Sequence, residues 1–260
     1  MVETAWVVFV FLFGICVGSF LNVCIYRMGR EQSVVRPASR CPHCQKPIRW
    51  HDNIPLASFL LLRGKCRDCG GKISFRYFLI EALTGLIFWA LFLRFGASAK
   101  AVAYAVLASG LIVSTFVDFD FQVIPDEISL GGIVVGLLLS FAFPVLHDVP
   151  YRFLALRYSL LGVLVGGGVL WLLGCLGDFL FKKESMGGGD IKLLAMVGAF
   201  LGWRLALLTL PLASLVGAVV GIVIKLRTKE SVIAFGPYLS LGALICVFWA
   251  DEIFRWMFAI

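Results

Sequence analysis

Charge is what this sequence lacks. Of its 260 residues only 15% are charged and 60% are hydrophobic, against about 25% and about 45–50% in soluble globular domains. Mean hydropathy is +0.95. That balance excludes a soluble enzyme and a nucleic-acid-binding domain, and it makes the lipid bilayer, not nucleic acid, the expected surroundings. Also missing are a Ser/Gly/Pro-rich linker, a low-complexity tail and an obvious internal repeat. The apolar N-terminal stretch has no basic n-region and no A-x-A site, so it reads as a retained span rather than a signal peptide. There is no G-x-S-x-G elbow and no H-E-x-x-H pair, which removes support for serine and zinc hydrolases. No Gly-rich nucleotide fingerprint follows a strand.

What is present is a series of apolar runs. A helix crossing a bilayer needs roughly 20 mostly apolar residues. The runs Ala5–Tyr26, Phe78–Phe95, Lys100–Val117, Ile128–Leu146, Ser159–Phe181, Ile191–Leu201, Leu205–Leu226 and Tyr238–Met257 predict an all-α polytopic protein of about eight transmembrane helices. The sixth is short. At about 1.5 Å per residue it covers about 17 Å of a roughly 30 Å core. If it reaches the far surface near Gly202–Arg204, its start at Asp190 lies inside the hydrocarbon layer.

Orientation follows from Lys and Arg. Eleven of the 23 lie between Arg27 and Arg76. With the N-terminus outside and that loop in the cytoplasm, Lys182, Lys183, Lys192, Lys225, Arg227 and Lys229 join them, giving 17 inside against 6 outside. This is the asymmetry that positive-inside topology requires.

Eight cysteines are present. Cys16, Cys24, Cys175 and Cys246 lie in apolar spans, where a thiol acts as a small hydrophobe. The other four form Cys41-Pro-His-Cys44 and Cys66-Arg-Asp-Cys69. Two such knuckles place four thiolates for tetrahedral zinc, and a four-sulfur site is closed, hence structural. The loop is expected in the cytoplasm, where disulfides are disfavoured, and it is short of core residues, so a metal would supply its folding energy. His43 and His51 stay outside this ligand set.

Carboxylates in or beside spans are costly and default to functional hypotheses. Asp118 stands at the cytoplasmic end of the third span and Asp190 at the cytoplasmic start of the short sixth, after Gly187-Gly188-Gly189. The topology brings both to one depth. Two carboxylates sharing a proton divide into a base, which activates water, and an acid, which polarises a carbonyl. Glycines without a Cβ let another backbone approach Asp190. Asp126, after Pro125, reads as a first-turn helix carboxylate. Gly166-Gly167-Gly168 and Gly217-x3-Gly221 read as helix-packing positions, and Asp178 as a snorkelling group. Glu81, about one turn inside the second span, is an expensive carboxylate without an evident partner.

Several motifs now occur together and in order: Gly18-Ser-Phe-Leu-Asn22-Val, the double Cys-x-x-Cys loop, Asn53-Ile-Pro-Leu, Gly64-Lys-Cys66, Asp118 with Ile-Pro-Asp126, Gly-x-Gly-Asp190-x-Lys192-Leu, and Phe235-Gly-Pro-Tyr238. From about Gly14 to about Trp249 the chain resembles the bacterial type IV prepilin leader peptidases/N-methyltransferases. The resemblance implies an inner-membrane aspartic peptidase of the Gly-x-Gly-Asp class. Such an enzyme removes the basic leader of type IV prepilins or type II secretion pseudopilins on the cytoplasmic side. It then methylates the new N-terminal amine with S-adenosylmethionine. The family's catalytic aspartates fall on Asp118 and Asp190, with Gly187 and Gly189 shaping the site, and its zinc cysteines on Cys41, Cys44, Cys66 and Cys69. The resemblance and the large Arg27–Tyr77 loop alone carry the methyltransferase expectation, for which Gly64, Lys65 and Glu81 are the positions to inspect.

The implied organisation is a first transmembrane helix over 1–27, a cytoplasmic zinc-binding loop and candidate methyltransferase region over 28–77, and a peptidase core over 78–260. Three alternatives stand beside it: a peptidase without methyl transfer, a transporter whose aspartates form a proton relay, and a purely structural subunit of the pilus machinery.

Overall fold

The computed structural model describes residues 2–36, 38–182, 186–228 and 234–258. Lys183 and Lys229, used above for orientation, lie outside them. Two compact units are present, Met1–Ala97 and Ser98–Ile260. Among the described residues the chain is helical, with eight α-helices and two 3-10 turns.

The N-terminal unit contains α1 (Val2–Met28), a short α2 (Ala57–Leu61) and α3 (Phe75–Phe95). Small residues fix the packing of α1 on α3. A Cβ on Gly14 would lie 2.9 Å from Gly85 Cα, and one on Gly18 would lie 2.8 Å from Glu81 Cα. The Gly14-x3-Gly18 stripe therefore lets the two backbones touch. One turn further along α1, buried Asn22 donates its Nδ2 to the Tyr77 carbonyl at 3.1 Å. Helix α3 starts where the Ser74 hydroxyl accepts the Arg76 N–H at 3.3 Å, and ends before Gly96, whose φ of 63° belongs to the left-handed region.

The second unit holds α4 (Ala99–Phe121), α5 (Asp126–Ala142), α6 (Arg152–Phe181), α7 (Gly188–Thr228) and α8 (Gly236–Phe258). Ser98 caps α4 by accepting the Ala101 N–H at 3.2 Å. Helix α4 closes at Gln122, which takes φ 54° and donates its N–H to the Asp118 carbonyl. Helices α6 and α7 meet at glycines: a Cβ on Gly162 would run into the Gly198 carbonyl, and one on Gly166 would lie 2.6 Å from the Leu194 carbonyl oxygen.

Eight spans are expected from the sequence, whereas among the described residues six helices are long and apolar enough to cross a membrane. Two differences account for this. Helix α5 has 17 residues, not the full Ile128–Leu146 run, because Pro144 follows and opens a 3-10 turn through His147. A proline disfavours helical geometry at the residue before it. The runs Ile191–Leu201 and Leu205–Leu226 are two parts of the 41-residue α7, which is broken at Gly202 (φ 77°, ψ 172°). Beside the break, the hydroxyls of Ser140 and Ser159 donate to the Ala199 carbonyl. They supply donors where the helical ladder is interrupted.

Candidate active site and metal centre

In the second unit, Asp118 occupies the last turn of α4 and is buried. Its Oδ2 accepts the backbone N–H of Gly236, the first residue of α8, at 3.0 Å. A helix N-terminus presents free N–H groups and a partial positive charge, so it suits a carboxylate. No other residue fits there: a Cβ at position 236 would stand 2.7 Å from Asp118 Oδ2 and 3.1 Å from Ile124 Cδ1. Asp190 opens α7 from the other side, its N–H directed to the Gly187 carbonyl at 3.2 Å. A Cβ on Gly189 would lie 3.1 Å from Ile124 Cβ. Buried Ile124 is thus a wedge touching the glycine before Asp190 and the glycine that binds Asp118.

The two carboxylates, 72 positions apart in the chain, stand beside the two glycines that Ile124 contacts, and they differ in setting. Asp118 is buried with one oxygen fixed by an amide, while Asp190 is partly open. At the exposed rim, Lys192 Nζ pairs with Asp126 at 2.7 Å, tying the start of α7 to the start of α5. Gly236 and Ile124 carry no chemistry of their own, and their importance is invisible to a reading based on ionisable groups. The signals that mark them are the Phe235-Gly-Pro-Tyr238 and Ile-Pro-Asp126 motifs.

In the N-terminal unit, Cys41, Cys44, Cys66 and Cys69 bring their sulfurs within 4.8 Å of one another. Zinc–sulfur bonds of about 2.3 Å at tetrahedral angles put sulfurs about 3.8 Å apart, and Cys41 Sγ to Cys69 Sγ is 3.8 Å. The donor set therefore fits a tetrahedral metal. Its electrostatics agree. The Cys44 backbone N–H leads in lowering the Cys41 thiol to about 6. At Cys69 the Gly71 N–H lowers the value, but burial and the three neighbouring sulfurs push it up to about 11. Four thiolates this close need a cation to coexist.

A local repeat underlies the cluster that the sequence does not advertise. Residues 39–48 and 64–73 make the same turn: Cys41 and Cys66 donate to the carbonyls of Lys46 and Gly71, and accept from Gln45 and Gly70. Ile48 and Ile73 close each loop on Ser39 and Gly64. Gln45 and Gly70 share a positive φ, 58° and 69°. The second knuckle is tied down by Arg67, which pairs with Asp52 at 2.6 Å and holds its carboxyl below the usual carboxylate range.

The three positions singled out for methyl transfer separate. Gly64 (φ 66°) forms the turn before Cys66 under the ring of Phe59, and Lys65 bridges to Lys72 across the knuckle. Glu81 instead lines a cavity of about 670 Å³. It is buried, and its Oε2 accepts the Leu56 N–H at 2.8 Å.

Residues 105–222 match the type IV leader peptidase family, and residues 12–95 match the bacterial peptidase A24 N-terminal domain. The chain belongs to the type IV leader peptidase family. A Prepilin leader peptidase/N-methyltransferase of Stutzerimonas stutzeri is 38% identical over 96% of this chain and 92% of its own length. The Aeromonas hydrophila protein of the same name is 38% identical over 96% and 94%. That of Myxococcus xanthus (strain DK1622) is 45% identical over 86% of this chain, which spans 64% of its length. No solved structure matches the chain. The leader peptidase match contains Asp118 and Asp190, while Gly236 lies beyond its end. The N-terminal match contains the four cysteines and Glu81.

Proposed function

We propose that the chain is a bifunctional prepilin peptidase and N-methyltransferase of the bacterial inner membrane. Its substrates are type IV prepilins or type II pseudopilins, and S-adenosylmethionine is its methyl donor. Support comes from family membership and from the names of relatives that align along nearly the whole chain. The observation that supports the peptidase half is Ile124 lying against both Gly236, whose N–H binds Asp118, and Gly189, next to Asp190, at the ends of two apolar helices.

The N-terminus lies outside, α5 enters the bilayer with the six long helices, and α7, one of those six, lies in it as two parts, so the aspartates face the cytoplasm. One carboxylate removes a proton from water as its oxygen attacks the scissile carbonyl. The other donates a proton to the carbonyl oxygen, and the tetrahedral intermediate collapses with protonation of the leaving amine. The pair titrates as a unit, so base and acid are roles of the dyad. The Gly236 N–H orients Asp118 by one oxygen and leaves the other for water. Gly187 and Gly189 clear room beside Asp190 for an extended substrate backbone. Cys41, Cys44, Cys66 and Cys69 hold a structural zinc that organises residues 28–77.

The test is prepilin cleavage in liposomes by wild type, Asp118→Asn and Asp190→Asn. Asparagine keeps size and polarity but cannot share the proton. Each single change is expected to abolish cleavage while zinc content stays at wild-type level. Near wild-type cleavage by either variant refutes the dyad.

A further inference from the structure

The cavity in the N-terminal unit is lined by three carboxylates, and they are not alike. Asp52 is paired with Arg67 at 2.6 Å, and Asp68 with Arg49 at 3.6 Å and Lys46 at 3.9 Å. Glu81, buried in α3, has only neutral partners among the described residues: the Leu56 N–H at 2.8 Å and the Ser19 hydroxyl. Burying a carboxylate without a cation is expensive, and more so at membrane depth. The backbone around it is strained as well. Leu56 takes φ 59° and ψ −51° in order to direct its N–H at Glu81, a conformation rare for a residue with a branched side chain. Strain of this kind persists where the surroundings hold a group for use.

We propose that this cavity is a preformed S-adenosylmethionine site and that Glu81 is the anion that holds the donor's sulfonium charge. The inference rests on the methyl-transfer reading above and assigns that reaction a place. Size agrees, since about 670 Å³ falls within the roughly 300–1,000 Å³ of small-molecule sites. Phe59, Tyr77 and Phe78 line the same cavity and offer aromatic surface for a purine. The donor is a cation and its demethylated product, S-adenosylhomocysteine, is a neutral thioether at the same sulfur. A carboxylate at the sulfur therefore distinguishes the two ligands, and a neutral amide does not.

The experiment is calorimetric titration of the full-length protein in detergent with S-adenosylmethionine and, separately, with S-adenosylhomocysteine. Wild type, Glu81→Gln and Ala38→Trp are compared, with zinc stoichiometry reporting that each is folded. Glutamine still accepts the Leu56 N–H but carries no charge. It is expected to weaken S-adenosylmethionine at least about ten-fold, as loss of a charge partner does, and to change S-adenosylhomocysteine less than about three-fold. Ala38 is exposed and lines the cavity, and an indole there is expected to weaken both ligands. Equal effects of Glu81→Gln on both ligands, or no effect of Ala38→Trp, overturn the assignment. Methylation of cleaved pilin by a wild-type protein that binds neither ligand alone also overturns it, leaving the bifunctional reading intact. Cleavage with neither binding nor methylation removes the methyl-transfer reading itself.

Discussion

Replacing Gly236 by alanine gives a sharp test of the peptidase site because the reaction of its surroundings can be worked out atom by atom. The added Cβ would stand 2.7 Å from Asp118 Oδ2 and 3.1 Å from Ile124 Cδ1. Ile124 can yield at the end of its side chain, but Asp118 cannot yield freely, because Oδ2 is the atom held by the N–H of residue 236 at 3.0 Å. Relief of the clash therefore costs that hydrogen bond, about 1.5–3 kcal/mol for a charged acceptor. If the loss falls on the transition state, at about 1.4 kcal/mol per factor of ten, kcat drops roughly ten- to hundred-fold. The neighbouring glycines calibrate the argument. A Cβ on Gly189 meets Ile124 Cβ at 3.1 Å, one on Gly187 makes an ordinary 3.4 Å contact with Asp190 Oδ2, and one on Gly188 meets nothing within 4 Å. Initial rates of prepilin cleavage in liposomes should then fall in the order Gly236→Ala worst, Gly189→Ala a few-fold, Gly187→Ala less, and Gly188→Ala unchanged. Gly236→Ala within two-fold of Gly188→Ala, at equal folded protein, would refute the reasoning.

Two further outcomes concern stability. His147 is held down to about 4 by burial against an ordinary 6.5, and its Nε2 lies 2.9 Å from the Ser140 hydroxyl. Between these values the unfolded chain binds a proton that the native protein refuses, so native stability falls as pH drops from about 6.5 towards 4, by about 3 kcal/mol at most. Melting temperature against pH should flatten over that window in His147→Gln, and an unchanged slope counts against a neutral buried imidazole. Elemental analysis should find one zinc per chain, lost in Cys41→Ser and on chelation. With it should go the protease resistance of residues 28–77, since binding free energy at such sites is folding free energy. A loop equally resistant without metal would show that the cysteines are dispensable to its fold.

Much of this protein is readable along the chain because the relevant physics is local. The length of an apolar run reports whether a helix can cross a bilayer. Two Cys-x-x-Cys pairs report four ligands, since a knuckle is a short turn, and the pause between Ile191–Leu201 and Leu205–Leu226 falls on the one glycine that breaks α7. Where the reading went astray the cause is also local. Pro144 cut α5 to 17 residues within a stretch whose hydropathy runs on.

What no local reading reaches is which group meets which. The amide that fixes Asp118 comes from Gly236, 118 positions later, and the wedge between the two aspartate segments is an isoleucine with no chemistry to announce it. Glu81 could be recognised as a costly charge, but its hydrogen bond from Leu56, 25 positions earlier, and the neutrality of its partners among the described residues appear only in the folded chain. Composition and spacing determined the class of protein, most of its helices and the four cysteines that come together. Packing at glycines, where backbones approach without a Cβ between them, decided which carboxylate is held, which is left open and which lines a cavity with only neutral partners among the described residues.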